Sequence, residues 1–331
     1  MRISGGVLAI IVALAGAGCA PGRPAPPPRG EARYAGGSSA ATPGAGEAGP
    51  ASAVQGTASA PPGPADPAPG ASSPGAGPVT GWPHVAVTSA VAEQARRLTV
   101  QLDRYLRKRP GRTSVAVYDR VTGLRYRYRE RTPYRLADVA EIDILLALLL
   151  RGQERMNGLT PHERRLATRM IRFGDDRAAQ RLYAVVGGRA GLTRTLRRLG
   201  IERTTPGPGR HWKHTRSVAT DQLRVLDLLT SPSGPVNPRN RAFAAALLAT
   251  DAPRRARGIG AATARRDRVA LRNGRLRDAH GRWTVASAGR ISSPSRDTLI
   301  AVLSDGSPGR TTGQATVERV ASIVMAEVRR D

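Results

Sequence analysis

Cysteine occurs once in these 331 residues, at Cys19, so neither a disulfide nor a site of several thiolates on one metal can form within one chain. Aromatic residues are also scarce, at 4% of the sequence. That is too few to interleave a basic surface with the stacking platforms that single-stranded nucleic acid needs. Lysine is nearly missing: Lys108 and Lys213 are the only two among 52 basic residues, so the positive charge of this chain is arginine charge. The apolar run from Val7 to Ala17 falls short of the roughly 20 residues that cross a bilayer as a helix. No internal repeat is visible.

What is present divides sharply by composition. Residues 1–19 hold Arg2, the Val7 to Ala17 run and then Gly18-Cys19, the layout of a secretory signal peptide. Cys19 follows small residues at the end of that run, which resembles the cleavage box of bacterial lipoproteins and makes Cys19 the expected lipidated first residue of the mature chain. Gly16 stands where that box usually has a large aliphatic residue, and Ala15-Gly16-Ala17 offers a conventional cleavage site as the alternative. Residues 20–89 are rich in Ala, Gly, Pro and Ser and cannot bury enough apolar surface to offset chain entropy, so they are expected to form a disordered linker. Such a linker reaches on the order of 45 Å. Residues 90–331 carry the apolar periodicity of a single folded domain.

The formal net charge is +27. Behind a secretion signal the anionic partners it favours are membrane lipid or anionic cell-wall polymer, and no nucleic acid is expected. A compositional preference for arginine accounts for the charge equally well. The expected location is the bacterial cell envelope, on the outer face of the plasma membrane.

Within the folded part, Val91, Ala95, Leu98, Leu102 and Leu106 recur at helical spacing and predict a helix over 91–108. Ser114 to Asp119 and Leu124 to Tyr128, joined by a turn with Gly123, predict an antiparallel hairpin. Val139 to Leu150 is apolar except at Glu141 and Asp143, which predicts a helix buried around most of its circumference. Helices are expected near 161–173, 175–186, 189–199, 217–230 and 238–250, separated by Gly and Pro. Strands follow at 268–272, 283–289 and 298–303, then a closing helix over 316–329. Two strands, a block of helices, three strands and a helix describe an α+β domain whose sheet joins both ends of the chain.

The segments Ser114 to Asp119, Asp143-Ile144-Leu145, Asp175-Asp176, Thr205-Pro206-Gly207-Pro208, Asp221-Gln222-Leu223, Arg272-Asn273-Gly274 and Leu299 to Gly306 are each short. In this order and spacing, over roughly residues 90 to 330, they resemble the class A β-lactamase and penicillin-binding-protein transpeptidase family of serine hydrolases. The resemblance implies a five-stranded antiparallel sheet flanked by helices, with an all-helical subdomain. It also implies three motifs around one cleft: Ser-x-x-Lys at the start of the buried helix, Ser-Asp-Asn, and Lys-Thr-Gly.

At the matching places this chain has Asp138 for the serine and Glu141 for the lysine, Gly174-Asp175-Asp176, and Arg272-Asn273-Gly274. Only Asp175, Gly274 and the positive charge at Arg272 survive. Acyl transfer needs a nucleophile and a base that accepts its proton, so these positions are expected to be non-catalytic and the domain to serve in binding or as a scaffold. The alternatives are a hydrolase of β-lactamase or D,D-peptidase type using a serine outside the motif, and a module for anionic wall polymer or lipid. No cofactor is expected.

The simpler reading of Asp138-x-x-Glu141 is a helix capping box. The sharper one brings Asp138, Glu141, Asp175 and Asp176 into one acidic pocket, with Arg272 paired to Glu141 or Asp176, or with Ca²⁺ or Mg²⁺ as a rival counterion. His211-Trp212-Lys213-His214 reads as an exposed loop with Trp212 tucked onto the body, and neither lysine is expected to replace the missing base.

Overall fold

The computed structural model describes residues 89–249 and 257–330. The expectations for the signal peptide, Cys19 and nearly all of the linker lie outside these residues. In chain order the elements are α1 Ser89–Leu106, β1 Arg112–Asp119, β2 Arg125–Tyr128, β3 Tyr134–Arg135, α2 Ala140–Gln153, α3 Pro161–Phe173, α4 Asp176–Val185, α5 Gly188–Arg198, β4 Arg216–Ser217, α6 Ala219–Thr230, α7 Pro238–Leu248, β5 Arg268–Arg277, β6 Trp283–Ser293, β7 Arg296–Ser307 and α8 Arg310–Val328. Five strands form one sheet in the order β2-β1-β7-β6-β5, antiparallel at every pairing. The β1–β7 pairing joins the two ends of the folded chain.

Both faces of this sheet are covered, and the strand sequences show it. Along β7, Leu299, Ala301 and Leu303 enter the core shared with α2 and the helical block. The alternate residues Ile300 and Val302 enter a second core with α1 and α8, as the two-residue period of a strand requires. From Ile142 to Leu150 every residue of α2 is buried, so this helix is the centre of the first core.

Local signals set several boundaries. Thr160 and Glu163 form a reciprocal capping box at the start of α3, with Pro161 in its first turn, and Gly174 ends it at φ 63°. Two expectations needed adjustment. The three C-terminal strands run longer than their apolar stretches, because β-ladder pairing carries on through Arg275 and Arg277. The last helix starts at Arg310 rather than Thr316. A second small sheet, β3 with β4, went unforeseen, since two residues carry no periodicity.

Candidate functional site

A 3₁₀ turn, Ala137–Val139, runs directly into α2 and carries Asp138. Ala137 holds a positive φ of 49°, a strained conformation for a residue with a Cβ. Strand β5 presses against this turn. A Cβ on Gly274 would lie 2.4 Å from the Leu136 carbonyl oxygen and 2.8 Å from the Asp138 nitrogen, so only glycine permits the approach. Gly274→Ala is expected to cost about 1–3 kcal/mol of stability through overpacking against backbone. An unchanged urea midpoint would contradict that close approach.

The capping expectation for Asp138 and Glu141 fails. Neither the 3₁₀ turn nor α2 has a side-chain cap. The amides of Val139 and Ala140 are already bonded to carbonyls of the preceding turn, and both carboxylates face cations instead.

Lys213 Nζ lies 3.0 Å from Asp138 Oδ1 and 2.8 Å from Asp176 Oδ2. The Arg272 guanidinium lies 2.7 Å from Glu141 Oε2, the pairing that the sequence suggested. Arg272 also donates to the carbonyls of Ile171 at 3.1 Å and Met170 at 3.4 Å, at the end of α3. Asp138, Glu141 and Asp176 offer oxygens that all lie within 4.8 Å of one another. They could hold a hard cation only by displacing the two side chains that now neutralise them.

Asp175 does not join this group, which corrects the expected cluster of four to three. Its Oδ1 accepts from the amides of Arg177 and Ala178 at the start of α4, and its Oδ2 pairs with Arg169 at 2.6 Å. Those amide bonds and the Arg169 pair hold its carboxyl below the usual range. Asn273 is also spent on structure: its Oδ1 accepts from Ser287 Oγ at 2.6 Å and its Nδ2 donates to the Arg257 carbonyl at 3.1 Å.

The loop 211–214 is not the plain exposed loop expected. Trp212 is buried as foreseen, but that anchor delivers Lys213 to the position beside Asp138. The available signal was the rarity of lysine in this chain.

Burial sets the electrostatics. Glu141 is fully buried, and desolvation pushes its carboxyl up to about 8 against the opposing pull of Arg272. Two residues further along α2, Asp143 is fully buried beside Gln222 Nε2 at 3.2 Å and is likewise pushed up to about 8 by desolvation. Lys213 shows the opposite balance. Partial burial works against its charge, but Asp176 and Asp138 outweigh it and raise the ammonium above its ordinary value.

Asp138, Asp176, Lys213 and Arg272 line a cleft of about 820 Å³, with Glu141 buried behind Arg272. Among the described residues lining it, none carries a hydroxyl or a thiol. This described lining can hold charge and bind polar groups.

No protein-family model matches the chain. A segment of 121 residues, 37% of the chain, is 36% identical to the protein named as lipoprotein LppW in Mycobacterium tuberculosis and in Mycobacterium bovis. The match spans 38% of the length of LppW. Among solved structures, a class A β-lactamase from Bacteroides cellulosilyticus superposes with a TM-score of 0.61 at 17% identity, over 72% of this chain and 99% of that one. PBP-A gives 0.61 at 15% identity over 71% and 96%. TLA-3 extended-spectrum β-lactamase gives 0.62 at 14% identity over 71% and 99%. The order of helices and strands, the central buried helix and these superpositions agree: the chain has the α+β fold of class A β-lactamases and of PBP-A.

Proposed function

We propose that this chain is a lipid-anchored protein of the bacterial envelope whose β-lactamase-like cleft binds a ligand and does not acylate. The observation that carries this is the state of position 138. Where the related fold places a serine, Asp138 is tied to Lys213 at 3.0 Å. A carboxylate that attacked an acyl group there would yield an anhydride, far less stable than a serine ester.

Nor can Glu141 act as the base for a neighbour, because it is buried against Arg272. The anchor is supported by Cys19 at the end of an N-terminal apolar run and by the name of LppW as a lipoprotein. On this reading residues 1–19 are the signal, 20–89 the spacer and 90–331 the binding domain.

Incubation of the full chain with a fluorescent penicillin tests the proposal. The expected result is no label surviving a denaturing gel, alongside strong labelling of an active class A enzyme. A covalent adduct on the wild-type chain would overturn the non-catalytic reading, and mass spectrometry of the peptide would then name the nucleophile.

A further inference from the structure

The cleft carries more positive charge than its own acids neutralise. Its lining includes Arg172, Arg257, Arg275 and Arg310 besides Lys213 and Arg272, while Asp138 and Asp176 are the acidic residues among its described lining. Both of those acids are already engaged by Lys213, and Arg272 is held against Glu141 from behind. Arg257, Arg275 and Arg310 are exposed. Among the described residues none of these three forms an ion pair, and Arg257 donates only to the Gln314 amide oxygen at 3.3 Å.

These arginines come from separate elements: Arg172 from the end of α3, Arg257 from the segment before β5, Arg275 from β5 and Arg310 from the start of α8. They therefore surround the cleft instead of forming a row on one helix. Guanidiniums gathered around a concavity focus a positive potential. Their planar forks suit phosphate oxygens, which accept two parallel hydrogen bonds.

One further residue narrows the chemistry. Phe173, one of two phenylalanines in the chain, lines the same cleft and is 77% exposed. An aromatic ring left in water in a charged cleft is suited to the flat apolar face of a sugar ring, a surface that a bare phosphate chain lacks.

We propose that the cleft takes a segment of a phosphorylated saccharide polymer, with phosphodiesters on Arg257, Arg275 and Arg310 and a sugar face on Phe173. The proposal rests on the binding reading above and names its ligand class. Several cations in a cleft of about 820 Å³ suit a ligand with repeated anionic groups better than one with a single carboxylate, and the volume lies within the range of about 300–1,000 Å³ usual for ligand sites.

Calorimetric titration of the full chain with soluble phosphomannan, mannan, inorganic polyphosphate and phosphatidylglycerol vesicles tests this. Phosphomannan is expected to bind most tightly, with an affinity that falls steeply as salt is added. Arg275→Glu with Arg310→Glu should weaken it by about tenfold or more. The control pair Arg104→Glu with Arg107→Glu, at the C-terminal end of α1, makes the same change in net charge and should leave binding intact. Phe173→Ala should weaken phosphomannan and leave polyphosphate unchanged.

Equal weakening by the α1 pair, equal binding of mannan or polyphosphate, or a preference for the vesicles would each overturn the assignment. Such a failure without a penicillin adduct removes this ligand class alone, whereas an adduct removes the binding reading itself. A melting curve for each variant separates lost binding from lost folding.

Discussion

Arg272→Met should lower the unfolding free energy by about 1–2 kcal/mol more at pH 9 than at pH 6, because the variant must keep on Glu141 a proton that the wild type releases above about 8. Glu141 is fully buried and neither of its carboxylate oxygens accepts a hydrogen bond. The guanidinium 2.7 Å away is its close counter-charge. The penalty should shrink at pH 6. Burial raises the folded carboxyl to about 8, so below that value the native state takes up a proton and no longer needs the cation. Loss of Arg272 moves the carboxyl higher still, so the variant goes on losing stability above pH 8, where the wild type levels off.

The double variant Arg272→Met with Glu141→Leu removes both charges and should recover most of the loss, because a well-filled apolar pair replaces a buried ionic one at little cost. Urea denaturation of the two single and the double variant at both pH values gives the coupling directly. A penalty that does not change with pH would mean that the pair contributes no charge interaction.

A second large effect lies behind the site, at Asp143. Its folded carboxyl is raised from 3.8 to about 8 by burial. The sign follows from proton counting: between these values the unfolded chain releases the proton and the folded chain keeps it, so the contribution of Asp143 to stability is greatest below pH 4 and declines as pH rises to 8. Asp143→Asn removes this dependence.

The stability advantage of the variant should grow by about 1.4 kcal/mol per pH unit across that window and level off above it. Asparagine keeps a side-chain oxygen that can accept from Gln222 Nε2, as Asp143 Oδ1 does at 3.2 Å. Paired denaturation curves at pH 5, 6 and 7 provide the measurement. A constant difference across them would mean that Asp143 is ionised in the folded protein throughout.

Both effects depend on residues whose presence was plain in the sequence but whose partners were only partly so. Glu141 and Asp143 interrupt an otherwise apolar run, which is why the helix could be recognised as buried and its acids as needing counter-charges. Arg272 could be proposed as a partner because the family pattern puts its strand beside that helix. The closeness of the strand was carried by Gly274, a small residue kept among long ones.

Lys213 was missed for a physical reason. It reaches Asp138 through the burial of Trp212, a tertiary event with no local periodicity. The false capping box shows the converse error. A capping box does form at α3, between Thr160 and Glu163, but at α2 the two carboxylates are drawn to Lys213 and Arg272 instead. Asp175 and Asp176 are neighbours in sequence, yet the first caps a helix and the second faces the cleft. Spacing alone does not separate the two.

Lys213 also bears on the dimensions of the site. An ammonium is a compact charge that can sit between two carboxylates, here at 3.0 and 2.8 Å, whereas a guanidinium needs the breadth and orientation of a planar fork. With 50 of its 52 cations written as arginine, this chain has still left a lysine in the gap between Asp138 and Asp176. Position 213 therefore asks for a charge compact enough to sit within 3.0 Å of both carboxylates, a demand of size as well as of sign.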